Sequence, residues 1–427
     1  MITLDGGTGE VFLGAIETIP AHFSDELAEL LAWADETADL KVMANADTPE
    51  AAKTAREYGA MGIGLCRTER MFNATDRLPI VIDMILANNE DDRKVALNRL
   101  MPFQRDDFVQ LFKEMAPNPV TVRLLDPPMH EFLPTEHDLL EQIENLEVYR
   151  KIVRGRQTAM ATLDHDVQLP SAFEEMNEDF VNNALARKEL MLRKVRELDE
   201  VNPMLGHRGV RLGITYPEIY EMQIQSILEA AMQCADDGVD VNPEIMVPQV
   251  ITLQEIVHVK RTADEIVQKL EKEHGKKISF KFGTMIETVR ACTRAWHLAG
   301  VAEFFSFGTN DLTQATFSFS REDAENKFLP MYNEAGVLQD NPFEVLDLKG
   351  VGKLIKMAVK GGREQREELK IGICGEQGGH PDSIQFCHDV GLNYVSCSGP
   401  RVPVARLAAA QAKLRNAEAT PPSLKAA

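Results

Sequence analysis

Long apolar runs are absent from this sequence. None of its apolar segments approaches the ~20 residues that a helix needs to cross a bilayer. The opening residues, MITLD, also lack the basic and apolar regions of a secretory signal peptide. The sequence therefore predicts a cytoplasmic protein that does not bind a membrane.

Metal-binding cysteine motifs are absent as well. The six cysteines are scattered, with no CxxC pair and no cysteine–histidine spacing typical of zinc sites. They are predicted to be reduced thiols, as expected in the cytosol. Neither a disulfide framework nor a structural zinc site is predicted.

Positive charge is scarce. The chain has 46 lysines and arginines against 67 acidic residues, a net charge of −21 at pH 7. This charge disfavours binding to nucleic acid, because nucleic acid is itself a polyanion. The GxxxxGK(S/T) loop that cradles nucleotide phosphates is also missing. A small anion could bind only at a local cluster of arginines, so arginines beside strand ends are the candidates.

Short apolar segments alternate with helical segments along the chain. Eight apolar segments rich in Val, Ile or Phe are typical of strands buried on both faces: 41–45, 61–66, 119–125, 244–248, 280–286, 303–308, 370–374 and 394–398. Eight strands that are each followed by helix predict an α/β fold, the (β/α)8 TIM barrel.

Capping residues mark several helix boundaries. Capping boxes, in which Ser or Thr precedes Glu by three positions, occur at 171–174 and 252–255. Pro49 and Pro217 are placed to begin helices, and Gly59, Gly238 and Gly275 to end them.

Two connections between predicted strands are too long for simple crossovers. They cover residues 67–118 and 126–243, and both have helical patterns. We interpret residues 1–35 as a short lead-in and 36–427 as the barrel, with these two connections as helical insertions.

Reactive residue types collect where the predicted strands end. In barrel enzymes the chemistry lies at this edge. Charged side chains are seldom buried unless they are paired, so a set of them there predicts a site. The residues are Arg67, Arg123, Glu287, Asn310, Asp311, Cys374 and Cys397.

Each residue type suits one task. Two carboxylates, with no metal-binding Cys or His nearby, predict a hard cation such as Mg²⁺. Substrate oxygens and water would complete the coordination of that cation. Arginines bind phosphate and carboxylate in a bidentate manner. A thiol can exchange a proton with an enolate. Together they predict a phosphorylated carboxylate substrate that reacts through an enolate.

Structural explanations remain open for the same residues. Arg67 could simply pair with Glu69 or Asp126. Glu287 and Asp311 could be acidic residues favoured at helix N-termini. Cys374 could be an ordinary core residue.

Long segments around these residues closely resemble the pyruvate, phosphate dikinase family of phosphoenolpyruvate-utilising enzymes. They are 45–72, 120–134, 202–219, 304–323, 372–379 and 391–412. The motifs LLDPP, GHRG and GICGEQGG resemble the dikinases more than phosphoenolpyruvate synthase or enzyme I of the sugar phosphotransferase system. Position 70 departs from the family pattern, with Arg in place of the expected His.

The resemblance implies a role for each matching residue. Glu287 and Asp311 match the Mg²⁺ ligands, and Cys374 matches the cysteine that protonates the enolate at its methylene carbon, with Cys397 as the second choice. The residues implied to bind the substrate, besides the two Mg²⁺ ligands, are Arg67, Arg123, Arg208, Arg321, Gly308, Thr309 and Asn310.

The resemblance also implies a reaction and its partners. Phosphoenolpyruvate would pass its phosphoryl group to a histidine on a swinging domain and leave pyruvate enolate on Mg²⁺. The sequence contains no TSHAA-type histidine segment and no ATP-grasp region. We therefore expect phosphohistidine and ATP-grasp domains elsewhere, in a longer chain or in a partner chain, and a homodimer formed through the barrel.

Two other functions compete with this interpretation. One is a Mg²⁺-dependent lyase or aldolase that acts on pyruvate enolate, against which three phosphate-suited arginines argue. The other is a non-catalytic phosphoenolpyruvate-binding module, against which the presence of Glu287, Asp311 and Cys374 argues.

Overall fold

Eight parallel strands close into a barrel, which confirms the predicted α/β fold. The computed structural model describes residues 1–5, 8–17, 23–162 and 178–419. Each barrel strand pairs with its neighbours along the chain, and the last closes on the first. The barrel strands are β3 (Lys41–Asn45), β4 (Ile63–Arg67), β5 (Pro119–Arg123), β6 (Asn242–Val247), β7 (Lys281–Ile286), β8 (Phe304–Phe307), β9 (Lys370–Ile373) and β10 (Tyr394–Ser398).

A short antiparallel hairpin precedes the barrel and was not predicted. Its strands are β1 (Ile2–Leu4) and β2 (Val11–Leu13). Helix α1 (Asp25–Thr37) follows and extends past residue 35, where the lead-in was expected to end. Asp35 connects this helix to the helix that follows the last barrel strand, because it accepts hydrogen bonds of 2.9 and 2.5 Å from Arg406.

Helices surround the strands and fill the long connections. Those in the first half are α2 (Pro49–Glu57), α3 (Thr68–Phe72), α4 (Leu78–Leu86), α5 (Glu90–Met115), α6 (Glu136–Thr162), α7 (Glu178–Leu198), α8 (Val210–Thr215) and α9 (Pro217–Asp236). Those in the second half are α10 (Leu253–His274), α11 (Val289–Thr293), α12 (Ala295–Leu298), α13 (Thr309–Phe317), α14 (Arg321–Lys327), α15 (Leu329–Glu334), α16 (Val351–Gln365), α17 (Pro381–Asp389) and α18 (Val402–Ala419).

Local sequence explains several of these boundaries. The predicted capping box at Thr252 is formed, with Glu255 as its partner, and Gly275 ends α10 in the left-handed conformation at a φ of 68°. The capping box predicted at 171–174 lies outside the described residues. Within the described chain, none of the helices combines the length and the apolar character needed to span a bilayer.

Two apolar layers hold the barrel together. The large outer layer packs the strands against the surrounding helices, and it includes Cys397. A separate inner cluster fills the barrel and consists of Leu65, Met246, Met285, Phe304 and Cys374. Strand residues alternate between the two layers, since successive side chains of a strand point to opposite faces. The two candidate cysteines therefore lie on opposite sides of the barrel wall.

All six cysteines are free thiols and all are buried. In each case removal from water raises the thiol pKa, because burial disfavours the charged thiolate. The free thiols agree with the prediction that the cysteines are reduced.

Candidate functional site

A buried aspartate joins two of the predicted arginines. Asp126 is 1% exposed. Its Oδ2 lies 2.8 Å from Arg123 Nη1 and 2.5 Å from Arg208 Nη2. Burial alone would raise the pKa of Asp126, but the two guanidinium groups outweigh it and hold that pKa below its ordinary value. Asp126 is therefore an anion built into the site between two cations.

Arg208 extends this network to the predicted metal ligands. Its Nη1 donates to Asp311 Oδ1 at 3.1 Å. The turn that carries Arg208 is held in place because Gly209 N donates to the Asp126 carbonyl oxygen at 2.8 Å. Gly209 has a φ of 58°, a conformation that favours glycine.

Arg67 is placed differently from its predicted pairing. Its backbone N and its Nη1 both donate to Asp47, at 2.7 and 3.4 Å. Glu69 and Asp126, the two partners suggested from sequence, are instead bonded to Arg123. The pairing suggested for Arg67 was wrong because β4 and β5 are adjacent in register, with Arg67 opposite Arg123. The neighbouring arginine, Arg123, takes both of the suggested partners, and Arg67 pairs with Asp47.

Arg70, the residue that departs from the family pattern, also contacts Asp47. Its Nε lies 3.3 Å from Asp47 Oδ2, and its side chain is 63% exposed. Asp47 thus joins Arg67 and Arg70 on one side of the site, as Asp126 joins Arg123 and Arg208 on the other.

Glu287 and Asp311 lie at the ends of neighbouring strands. Glu287 Oε1 accepts a 2.6 Å hydrogen bond from Gln249 N, whereas Oε2 is buried and has no hydrogen-bond partner among the described residues. Burial, followed by the negative charges of Asp311 and Asp126, raises the pKa of Glu287 to about 8. Asp311 is in the first turn of α13, as the helix-terminus explanation requires, but it also pairs with Arg208.

These two carboxylates fit a hard divalent cation. The described residues contain no group of three or more His, Cys, Asp or Glu side chains that could hold a metal. Mg²⁺ does not need such a group, because it is commonly held by one or two carboxylates with substrate oxygens and water. The buried, unpaired Oε2 of Glu287 supplies one free ligand atom, and a Cβ at position 308 would lie 2.5 Å from it. Gly308 is therefore needed for that oxygen to keep its place.

Cys374 lies inside the barrel, close to these charges. Burial raises the pKa of its thiol to about 11, against which the nearby positive charges of Arg123 and Arg67 act only weakly. Cys397 packs in the outer layer instead, and burial raises the pKa of its thiol to about 12. Of the two candidate cysteines, Cys374 is therefore the one inside the barrel, where the other candidate residues lie.

The loop after β8 is tied to the loop that follows Cys374. Thr309 Oγ1 donates to Gln377 Oε1 at 2.7 Å, and Asn310 Oδ1 accepts from Glu376 N at 3.3 Å. Arg321 also reaches this loop, through hydrogen bonds of 2.7 and 2.9 Å to Glu376. Its Nε is 3.1 Å from Glu325. Arg321 is thus engaged at the rim and does not join the other arginines.

Sequence reasoning missed several residues of this site, among them Asp47, Asp126 and Gln249. Asp126 had a signal, because it follows a predicted strand, but it was considered only as a partner for Arg67. Gln249 had none. Its φ of 59° is rare for a residue with a side chain and costs about 1–3 kcal/mol. Gln249 is 3% exposed and follows β6 at the same edge of the barrel.

Comparison with known proteins assigns the chain to a family. Residues 22–414 match the family described as PEP-utilising enzyme, PEP-binding domain. The chain is 50% identical to pyruvate, phosphate dikinase of Entamoeba histolytica over 418 residues, which are 97% of this chain and 44% of that protein.

Two relatives of lower identity are also pyruvate, phosphate dikinases. The chain is 46% identical to the pyruvate, phosphate dikinase of Giardia intestinalis, over 97% of this chain and 42% of that protein. It is also 46% identical to that of Clostridium symbiosum, over 97% of this chain and 43% of that protein. It thus spans less than half the length of these curated relatives. The chain belongs to the phosphoenolpyruvate-utilising enzymes and corresponds to their phosphoenolpyruvate-binding domain.

Proposed function

We propose that this chain is the phosphoenolpyruvate/pyruvate-binding barrel of a pyruvate, phosphate dikinase. It binds phosphoenolpyruvate with Mg²⁺ and interconverts it with pyruvate by exchanging the phosphoryl group with a histidine on another domain or chain. One observation carries the proposal: the buried network of Arg123, Asp126, Arg208 and Asp311 lies beside an unpaired Glu287 oxygen and an interior thiol.

The arginines are assigned to the phosphoryl group. Arg123 Nε is buried and has no hydrogen-bond partner among the described residues, so it is a donor available to a ligand. The guanidinium of Arg208 donates to Asp126 and Asp311, and that of Arg67 donates to Asp47, which fixes the orientation of both. Fixed donors stabilise developing charge without having to reorganise during the reaction. Arg321 serves this proposal only as a residue that positions the loop containing Glu376.

The thiol of Cys374 is assigned to the proton transfer. With a pKa of about 11 it is protonated at neutral pH and can donate its proton to the methylene carbon of the enolate. The product is pyruvate, and the reverse reaction returns a methyl proton to the thiolate. Mg²⁺, when bound by Glu287 and Asp311, would supply positive charge for the enolate oxygen.

The phosphoryl acceptor belongs to the proposal too. The relatives are more than twice as long as the matched region. Their remaining length is sufficient to contain phosphohistidine and ATP-grasp domains. A homodimer of the barrel is proposed as well, and light scattering of the purified chain tests it.

Loss of either candidate metal ligand is expected to abolish Mg²⁺-dependent binding of phosphoenolpyruvate. Glu287→Gln and Asp311→Asn keep the shape of each side chain but remove the charge that the cation needs. Calorimetry with and without Mg²⁺ measures the effect, which we expect to be a loss of at least a hundredfold in affinity.

Asp264→Asn is the matched control, because this aspartate pairs with Lys260 on the outer surface of α10, outside the candidate site. It should bind like the unmodified chain. Unchanged Mg²⁺ dependence in both site variants would contradict the metal assignment. Equal binding with and without Mg²⁺ in the unmodified chain would instead favour a binding module that works without a cation.

A further inference from the structure

A cavity of 540 Å³ adjoins the Glu287–Asp311 pair. Gln249 lines it together with both carboxylates, and apolar residues such as Ile251, Val289 and Phe319 form part of its wall. No role was assigned to Gln249 from its sequence position. It is nevertheless the residue that combines a left-handed backbone, deep burial and an unpaired side-chain amide at the site.

Two unpaired groups of opposite character meet in this region. Gln249 Nε2 is a buried hydrogen-bond donor with no partner among the described residues, and Glu287 Oε2 is a buried acceptor with none. Buried polar groups are nearly always paired, since an unpaired one forfeits its hydrogen bonds to water. The two groups are not bonded to each other, so a ligand that supplies both an acceptor and a cation would satisfy them together.

The backbone explains why Gln249 is held in this place. Its N–H donates to Glu287 Oε1 at 2.6 Å, and its backbone is left-handed, with a φ of 59°. The turn after Arg208 packs directly on the side chain, because a Cβ at Gly209 would lie 2.7 Å from Gln249 Cβ. Gln249 is therefore fixed between the arginine network and the metal carboxylate. Residues held in strained conformations cluster at functional sites.

We propose that Gln249 is a ligand-binding residue whose amide Nε2 donates a hydrogen bond to an oxygen held beside Glu287 and Asp311. The acceptor is a carboxylate oxygen of the substrate. This inference rests on the proposed function, because it takes the ligand to be an oxygen-rich anion with a cation. An amide donor at this point selects an oxygen acceptor over an apolar group.

The test measures binding to the full chain by calorimetry in two steps. Mg²⁺ is titrated alone, and then oxalate, a planar dianion that resembles pyruvate enolate, is titrated at saturating Mg²⁺. Gln249→Leu removes the amide but keeps the backbone N–H that positions Glu287. We expect unchanged Mg²⁺ affinity in the first step and oxalate affinity about tenfold weaker in the second, which equals 1.4 kcal/mol. A loss of Mg²⁺ affinity in the first step would show that the variant disturbs the carboxylates, and would overturn the inference.

Gln104→Leu is a closely matched control. Gln104 is also buried, and both atoms of its side-chain amide lack a partner, but it lies on α5 in the outer shell of helices. Removing an unpaired buried amide should not destabilise either variant, because no hydrogen bond is lost. We therefore expect normal ligand affinity in Gln104→Leu and reduced affinity in Gln249→Leu.

Gln249→Gly serves as a second variant if leucine is not tolerated at a φ of 59°. It relieves the backbone strain but also removes a buried side chain, so it should still unfold in one cooperative thermal transition and bind oxalate about tenfold more weakly. If the unmodified chain binds oxalate with Mg²⁺ and both Gln249 variants match it, the inference on Gln249 is wrong and the proposed function stands. If the unmodified chain binds neither Mg²⁺ nor oxalate, the proposed function is wrong and the inference is lost with it.

Discussion

Replacing Cys374 with alanine is expected to slow the exchange of pyruvate methyl protons with deuterium by about a hundredfold or more, the contribution typical of a positioned acid or base. Enolisation needs a base beside the methyl carbon, and Cys374 is the cysteine that lies inside the barrel. Proton NMR of pyruvate with the full chain and Mg²⁺ in D2O measures the rate directly.

Cys397→Ala is the matched control for this experiment. Its thiol is just as buried, but it packs in the outer layer with the surrounding helices. We expect exchange close to that of the unmodified chain. If Cys397→Ala slowed the exchange more than Cys374→Ala, Cys397 would be the acid, and the site would not be confined to the interior of the barrel.

The pH dependence of the same exchange provides a second readout. Removal of a methyl proton needs the thiolate, and the pKa of Cys374 is raised to about 11. Below that pKa the thiolate fraction rises tenfold with each unit of pH. The exchange rate should therefore increase with pH across the neutral range, and this increase should disappear in Cys374→Ala.

Replacing Asp126 with alanine is expected to lower the free energy of unfolding by about 3–5 kcal/mol, the loss seen when one partner of a buried ion pair is removed. Asp126 is the shared counter-charge of Arg123 and Arg208, and its removal leaves two buried guanidinium groups close together. Urea unfolding of the full chain measures the loss. Added phosphate should recover part of it, because an anion can take the place of the carboxylate.

Asp264→Ala is the control for stability. Asp264 pairs with Lys260 on the surface of α10, one helical turn away. Exposed pairs of this kind contribute little, so the unfolding midpoint should scarcely change. If Asp126→Ala costs no more than this surface variant, Asp126 does not hold the arginines, and the network has been misjudged.

The strands were predictable from the sequence because each is apolar and bounded by turn residues. The second predicted strand, 61–66, differs from Ile63–Arg67 only at its ends. The hairpin of β1 and β2 was not predictable in this way. Its strands have three residues each and are largely exposed, so they carry no pattern of burial.

Which cysteine faces the interior could not be predicted. Alternation reveals a strand's two faces only when one of them is polar, whereas the strands of a parallel barrel are buried on both. In β10 the inward residues include Ser396, whose hydroxyl donates to Asn45 at 2.6 Å, and this parity directs Cys397 outward. That parity becomes visible only once neighbouring strands are in place.

Gln249 illustrates a further limit. Its left-handed backbone accompanies a hydrogen bond from its N–H to Glu287, which is 38 residues away along the chain. No local motif encodes such a conformation, since glutamine has no preference for it. The charged ligands were predictable by residue type and strand end, but the geometry between them depends on contacts that are distant in sequence.

Because every cysteine is buried, the rate of thiol alkylation would measure how often this fold opens. A reagent reacts with an exposed thiolate, and in the native state all six sulfurs are enclosed, with pKa values raised by that enclosure. Modification therefore has to wait for local or global opening. Because the thiols are distributed from β4 to β10, the order in which they are modified would report which parts of the barrel open first.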